Sequence, residues 1–350
     1  MTRTLGREMA RKGLDVSVVT VRRRGQGEVE ELEGVTIYGY PPHSAEPYPL
    51  KAALSRLGSV GFYRLADADI YHSEAESYNT LIAELAMPGR RHVITFQDPY
   101  DAWEWGRIGA VDPRYKQTAA FQARCAVENR VLTSACRRAD ALYSQARFLI
   151  GRATRLYRLG KRPGLLPNPV RVQRQRMKKA ERPTVCFLAR WDPQKRVEIF
   201  LRLAKRFPEV EFIAMGRAHD AKMDYELRRR YCNIPNLRLT GFVSEEEKSR
   251  ILERSWALVN TSVREALPVS FLEALAHETP IVSGEDPDGL ASRFGYRVFN
   301  DDYDAALSRL LESGEWVEKG RGGRRYVEEV HELGRVVRMH IETYEGLMRR

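Results

Sequence analysis

None of the 350 residues falls in an apolar run near the roughly 20 that a membrane-spanning helix needs, so no such span is expected. The opening MTRTLGREMARKGLDVSVVT lacks the apolar core of a secretory signal. Cysteine is sparse. Cys125, Cys136, Cys186 and Cys232 form no C-x-x-C pair and no metal-ligand spacing, which points to reduced, buried thiols in a cytosolic setting. The histidines do not cluster at ligand spacing either. His72 and His92 flank expected strands and read as packed or exposed rather than as ligands, so neither metal nor cofactor is expected. G-x-S-x-G, H-E-x-x-H and G-x-x-x-x-G-K-[ST] are all missing, which removes the commonest hydrolase, metalloprotease and P-loop signatures. No aromatic-studded module for reading bases is present, so nucleic acid is not an expected partner.

Basic charge is present, and it is lopsided. Residues 1–180 carry a net +12 and residues 181–350 a net −1. The densest part runs from Arg147 to Arg182, with Glu181 its only acid. A solvated basic face is the plain reading. Attraction to an anionic lipid surface is the second.

Strand and helix signals alternate through the chain. LDVSVVTV, GVTIYGYP, ADIYHS, HVITFQD, DALYSQ and GLLPNPV read as strands in the N-terminal half. TLGREMARKG, NTLIAELAMPG and FQARCAVENRVLTSACRRA read as helices. The polar stretch 171–183 reads as a linker. A second alternation follows, from TVCFLAR through WALVNTS and VSFLEALAHE to PIVSG, and the tail from Tyr326 reads as helical to the end. GRGGRR, residues 320–325, reads as a basic turn between helices. Such alternation implies βαβ units: an α/β chain of two doubly wound domains facing a cleft, with ligands beyond the carboxyl ends of the strands. The expected domains are 1–170, 184–335 and a C-terminal helix 336–350 that packs back on the first domain.

Polar residues gather at those strand ends. Arg190 follows one strand and Lys195 stands near a helix start, a pairing that suits a diphosphate. Gly216 and Arg217 follow the next strand, and Gly241, Phe242 and Val243 the one after. Glu265 falls in a loop after WALVN, and Glu273 about one turn inside the next helix. A carboxylate placed there can accept two sugar hydroxyls at once. Each feature alone is an ordinary βα turn or a surface acid. All of them at one sheet edge make a candidate site.

This ordered set resembles the retaining nucleotide-sugar glycosyltransferases of the GT-B fold, group 1 or family 4 type. FLARWDPQKRVEIFL resembles that family's strand–Arg–x4–Lys signature, LTGFV its base-binding loop, and SVREALPVSFLEALAHETPIVSG its Glu-x7-Glu segment. ACRRADALYSQ and LLPNPV resemble its N-domain end and interdomain crossover. The resemblance implies that Arg190 and Lys195 hold the donor diphosphate and that Glu273 binds the ribose. Glu265 would contact the donor sugar, with backbone amides of Ala266, Leu267, Pro268 and Val269 at the helix start. Gly216, Arg217, Gly241, Phe242 and Val243 would line the nucleotide pocket.

Two departures from the family pattern stand out. Met1 falls inside the first helix, so the family's opening strand and Gly-rich loop are expected to be missing, through a misassigned or truncated start. Gln97, followed by Asp98, stands where the family has a histidine, and these two are the candidate N-domain sugar contacts. Gln97 can donate a hydrogen bond but cannot titrate near neutrality. Milder changes put Ala266 and Pro268 where glycines are common.

The implied activity is transfer of a sugar from a nucleoside diphosphate-sugar co-substrate to a glycan, lipid-linked or small-molecule acceptor, with retention. The expected location is cytoplasmic, with peripheral attachment at the inner membrane face as an added expectation. A non-catalytic nucleotide-sugar-binding or scaffold homologue and a sugar-nucleotide epimerase of the same fold are the alternatives.

Overall fold

The alternating runs form two sheet-and-helix units in the computed structural model, which describes residues 2–42, 57–173, 175 and 177–350. The first unit comprises Met1–Ala102, Gln117–Pro169 and Leu333–Arg350; the second comprises Trp103–Lys116 and Val170–Glu332.

In the first unit, helix α1 (Thr2–Ala10) leads into strand β1 (Val16–Val21) and the hairpin strands β2 (Val29–Leu32) and β3 (Val35–Tyr40). After α2 (Val60–Ala66) come β4 (Ile70–Ser73), α3 (Tyr78–Ala86), β5 (Arg91–Phe96), α4 (Ala119–Arg138), β6 (Ala141–Ser144), α5 (Arg147–Leu156) and the two-residue β7 (Gly164–Leu165). The strands make two sheets. One has the order β1-β3-β2; the other is parallel, in the order β4-β5-β6-β7. Among the described residues β1 and β4 are each an edge strand. Apolar side chains still join the sheets, because Val19 of β1 packs in one cluster with Tyr71 of β4 and with Tyr63 and Ile82. The Thr118 hydroxyl caps the 20-residue α4 by accepting from the Phe121 N–H. The buried face of α4 covers Ile94 and Phe96 of β5.

The second unit carries one parallel sheet of six strands in the order β10-β9-β8-β11-β12-β13. Its strands are β8 (Thr184–Leu188), β9 (Glu211–Met215), β10 (Leu237–Gly241), β11 (Ala257–Asn260), β12 (Ile281–Ser283) and β13 (Gly295–Arg297). Helices α6 (Val197–Arg206), α7 (Ala221–Tyr231), α8 (Glu245–Arg254), α9 (Val269–Ala276), α10 (Leu290–Phe294), α11 (Tyr303–Ser313) and α12 (Trp316–Val330) cover it. The chain runs outward from β8 through β9 to β10, then returns to β11 on the other side. The switch point of the sheet therefore lies between β8 and β11. A last helix, α13 (Leu333–Met348), belongs to the first unit, where Leu333, Val336 and Val337 pack on Leu5 and Met9 of α1.

Several expectations need correction. Residues 103–116, expected in the N-terminal domain, group with the second unit. There the Arg264 guanidinium stands 4.8 Å from the Trp105 ring centroid, and Arg107 bonds Glu285. The expected linker 171–183, of which 174 and 176 lie outside the described residues, is fastened to that same unit. Met177 is buried, and Lys179 Nζ donates to the Ser255 and His277 carbonyls and the Thr279 hydroxyl. The tail is two helices broken at His331–Glu332 rather than one.

GRGGRR is not a turn. It lies inside α12, and its glycines permit close packing. A Cβ on Gly320 would stand 2.2 Å from the Glu278 carbonyl oxygen, and one on Gly323 2.4 Å from Leu275 Cδ2. Spaced three apart, the two glycines share the helix face turned to α9 and the turn after it. Gly322 has more room, 3.6 Å to the nearest Phe294 atom. Gly320→Ala should therefore cost about 1–3 kcal/mol through overpacking against backbone. Gly322→Ala should be neutral or stabilise by up to about 1 kcal/mol, the ordinary helix gain. Urea denaturation of the two variants checks this; equal effects would contradict the packing account.

Candidate functional site

The loops after β8 and β11 meet at the switch point of the second sheet. Backbone and side chain stitch them together. Val263 N–H donates to the Gln194 carbonyl at 3.0 Å, and Gln194 Nε2 donates to the Arg264 carbonyl at 2.9 Å. The Thr261 hydroxyl donates to the Lys195 carbonyl at 2.6 Å. Arg196 sits in the left-handed region (φ 46°), from which its Nε donates to the Thr261 carbonyl and its two terminal nitrogens grip Asp301 at 2.6 and 2.8 Å. Such a backbone persists only where its surroundings over-determine it.

This frame aims Lys195 and Glu265 at each other. Lys195 Nζ stands 2.6 Å from Glu265 Oε1, with side chains 16% and 8% exposed. The same carboxylate oxygen accepts from Asn260 Nδ2 at 3.0 Å and from the Ser262 hydroxyl at 2.7 Å. Three donors on one oxygen hold the carboxylate in one orientation. They also set the lysine charge in a water-poor place, where electrostatic effects are strong. Glu285 stands beside them. Its Oε2 accepts from the Glu265 N–H at 3.4 Å, and its Oε1 is 2.5 Å from Arg107, which also donates to the Val263 carbonyl. Arg190, the other expected phosphate ligand, is more open. Its guanidinium is 3.3 Å from Asp192 and 3.4 Å from His219 Nδ1.

The two glycines expected to line a nucleotide pocket are joined directly, Gly216 N–H donating to the Gly241 carbonyl at 2.8 Å. Gly216 adopts φ 125°, and a Cβ there would lie 1.9 Å from the Ala189 carbonyl oxygen, so only glycine fits. Arg217 is exposed beside it, and Phe242, the residue after Gly241, is 86% exposed. Val243 and Ala266 are half-buried; Leu267 is buried, and Pro268 caps α9, whose first residue is Val269.

Glu273 lies on the fifth residue of α9, where Lys248 Nζ stands 2.6 Å from its Oε1. Burial raises the Glu273 pKa and the Lys248 charge opposes the rise. Lys248, Arg107 and Glu285 escape a reading of local spacing. The one available signal was Lys248 three residues after Glu245, a helical ion-pair spacing that is in fact made at 2.9 Å. Gln97 and Asp98 belong to the first unit. The Gln97 side-chain amide exchanges two hydrogen bonds with Asn168, at 3.1 and 3.2 Å, and the Gln97 backbone carbonyl accepts from Gln145 Nε2. The geometry gives Gln97 a structural task that the sequence did not announce.

The glycosyl transferases group 1 model matches residues 171–295, and the glycosyltransferase family 4 model matches residues 1–174. The chain belongs to the group 1 and family 4 glycosyltransferases. A curated Xenopus tropicalis protein, glycosyltransferase 1 domain-containing protein 1, is 27% identical to this glycosyltransferase over 108 residues. The match spans 31% of either chain. Sucrose-phosphate synthase from Thermosynechococcus elongatus superposes with a TM-score of 0.78 at 15% identity, covering 99% of this chain and 92% of that one. WaaG, described as a glycosyltransferase involved in lipopolysaccharide biosynthesis, gives 0.68 at 13%, covering 97% and 93%. Anabaena HepE, solved in complex with UDP and glucose, gives 0.63 at 12%, covering 89% and 87%. At such identities the likeness is one of fold, and that fold is GT-B with two Rossmann-like domains.

The Glu273–Lys248 pair yields a prediction with a defined sign. A carboxyl whose folded pKa is raised binds more protons folded than unfolded, so its contribution to stability falls as pH rises. Lys248→Met removes the opposing cation and raises that pKa further. The variant should lose stability relative to the wild type as pH climbs above the ordinary carboxylate range, and the loss should vanish in Lys248→Met/Glu273→Gln. Urea midpoints across pH test this; parallel pH profiles for wild type and Lys248→Met would contradict it.

Proposed function

We propose that this glycosyltransferase moves a sugar from a nucleoside diphosphate-sugar to a glycan, lipid-linked or small-molecule acceptor, with retention of anomeric configuration. The observation that carries the reading is the Lys195–Glu265 pair, held at 2.6 Å at the switch point of the second sheet. Doubly wound sheets bind their ligands there. The UDP and glucose in HepE support a donor of the same class.

In this reading the donor diphosphate draws Lys195 Nζ from Glu265, and Arg190 supplies a second cation. Glu265 is then released to accept hydroxyls of the donor sugar. Glu273, paired with Lys248 at 2.6 Å, accepts the ribose hydroxyls, and Phe242 offers a face to the base. The bond from the anomeric carbon to the diphosphate oxygen breaks as charge develops on the leaving group, which the two cations stabilise. The acceptor oxygen bonds the same face of the sugar, and its proton passes to a phosphate oxygen of the departing nucleotide. No organic cofactor takes part.

A panel of nucleoside diphosphate-sugars tests the reading. One donor should be turned over with the product in the donor's anomeric configuration. Lys195→Ala and Glu273→Ala should each weaken nucleotide binding by about tenfold or more, the worth of a charge-assisted hydrogen bond. Unchanged binding in both variants would remove the site, and tight binding with no turnover would make the chain a nucleotide-sugar-binding homologue.

Residues 1–180 carry the basic charge, which leads us to place the chain in the cytoplasm at an anionic membrane face. Helix α5 buries Leu149, Ile150 and Ala153 and leaves Arg155 exposed, with Arg158 exposed just beyond. Among the described residues no helix is long and apolar enough to cross a membrane, so attachment of this kind would be electrostatic. Each basic residue near an anionic surface is worth about 1 kcal/mol. Reversing both charges should therefore lower sedimentation with phosphatidylserine vesicles at least about tenfold; equal pelleting would exclude this patch.

A further inference from the structure

A cluster of two histidines and a glutamate in the first unit lies apart from every residue assigned so far. Strand β4 ends with His72 and Ser73, and Glu74 follows. Helix α13 brings His340 to the same place. Glu74 Oε1 stands 3.8 Å from His72 Nδ1 and 3.8 Å from His340 Nε2. One ligand-type atom from each of the three residues lies within 4.8 Å of the other two. The His340 side chain is only 2% exposed and that of His72 only 7%.

The outer contacts orient both rings. His340 Nδ1 donates to the Val336 carbonyl at 2.8 Å, which leaves Nε2 as the lone-pair nitrogen facing Glu74. His72 Nε2 is 2.8 Å from the Thr95 hydroxyl and Nδ1 is 2.7 Å from the Tyr344 hydroxyl. The Val336 carbonyl and the Thr95 hydroxyl are partners of the kind by which proteins orient metal-binding imidazoles, and a metal on His72 Nδ1 replaces that nitrogen's hydrogen bond to the Tyr344 hydroxyl. The 3.8 Å separations are too long for hydrogen bonds. The three groups converge without meeting, around a carboxylate whose side chain is 22% exposed.

We propose that His72, Glu74 and His340 bind one divalent transition-metal ion of the Zn2+ type, which clamps helix α13 to strand β4. Two imidazole nitrogens and one carboxylate oxygen suit such an ion, whereas Mg2+ and Ca2+ favour all-oxygen sets. Ligand bonds of about 2.0–2.1 Å require the cluster to close by about an ångström or less. The Tyr344 hydroxyl or a water completes a tetrahedral set. The role is structural: it joins two ends of the sequence within one unit, and no sugar-transfer step depends on it.

The full chain, stripped with a chelator and dialysed, should take up one equivalent of Co2+ with the visible absorption of tetrahedral coordination. Zn2+ should then displace it and raise the melting temperature. His340→Gln and Glu74→Gln should each weaken binding more than about 100-fold. Thr95→Val, which removes only an outer partner, should weaken it about 10- to 100-fold. Circular dichroism of the metal-free variants checks that they fold. The proposal is overturned if the wild type shows no tetrahedral Co2+ band, or if the band persists unchanged in either ligand variant.

Discussion

The second unit depends on one ion pair and the frame that holds it. Lys195 and Glu265 sit on loops that follow different strands, 70 residues apart in sequence, and meet at 2.6 Å. Removing two charges from water costs several kcal/mol per ion unless good geometry returns it. Here Asn260 and Ser262 add donors to the carboxylate, and Thr261, Gln194 and Arg196 lock the loops to one another. The strained left-handed Arg196 is tolerated because Asp301 and the Thr261 carbonyl grip its guanidinium. A surface ion pair would need none of this. We propose that this is a preorganised anion site whose cation is held, until ligand arrives, by its own carboxylate.

The rest of the sheet edge follows from that centre. Gly216 and Gly241 bring the ends of β9 and β10 close enough to bond, and the bare backbone at Gly216 is demanded by the Ala189 carbonyl. Glu273 comes from α9, which begins four residues after Glu265, and Lys248 from α8 stands 2.6 Å from its carboxyl oxygen. Residues 103–116 join this unit rather than the one they precede in sequence, through Trp105 against Arg264 and Arg107 against Glu285.

Much of this was legible in the sequence, for a physical reason. Parallel strands buried on both faces are short β-branched runs, and α6, α8 and α9 carry strong helical patterns between them, so the alternation and the residues at each strand end could be read locally. What depends on long separation could not. Nothing near Lys248 announces Glu273, and nothing near His72 announces His340. Strand β2 was missed because VEEL is mostly exposed and half acidic, a poor match to the buried-strand pattern. GRGGRR misled because glycine disfavours helices locally, while packing of α12 on α9 requires it. Gln97, read as a sugar contact, is held by Asn168 and Gln145, partners 71 and 48 residues away.

The central claim is that the Lys195–Glu265 pair is the ligand-free state of a donor diphosphate site. Crystal structures of the chain without ligand and with a bound nucleoside diphosphate-sugar test it directly. The account predicts that Lys195 Nζ leaves Glu265 for a phosphate oxygen while Glu265 turns to the sugar, with the 193–196 and 261–265 loops otherwise unmoved. A donor bound elsewhere, with the 2.6 Å pair intact, would contradict it.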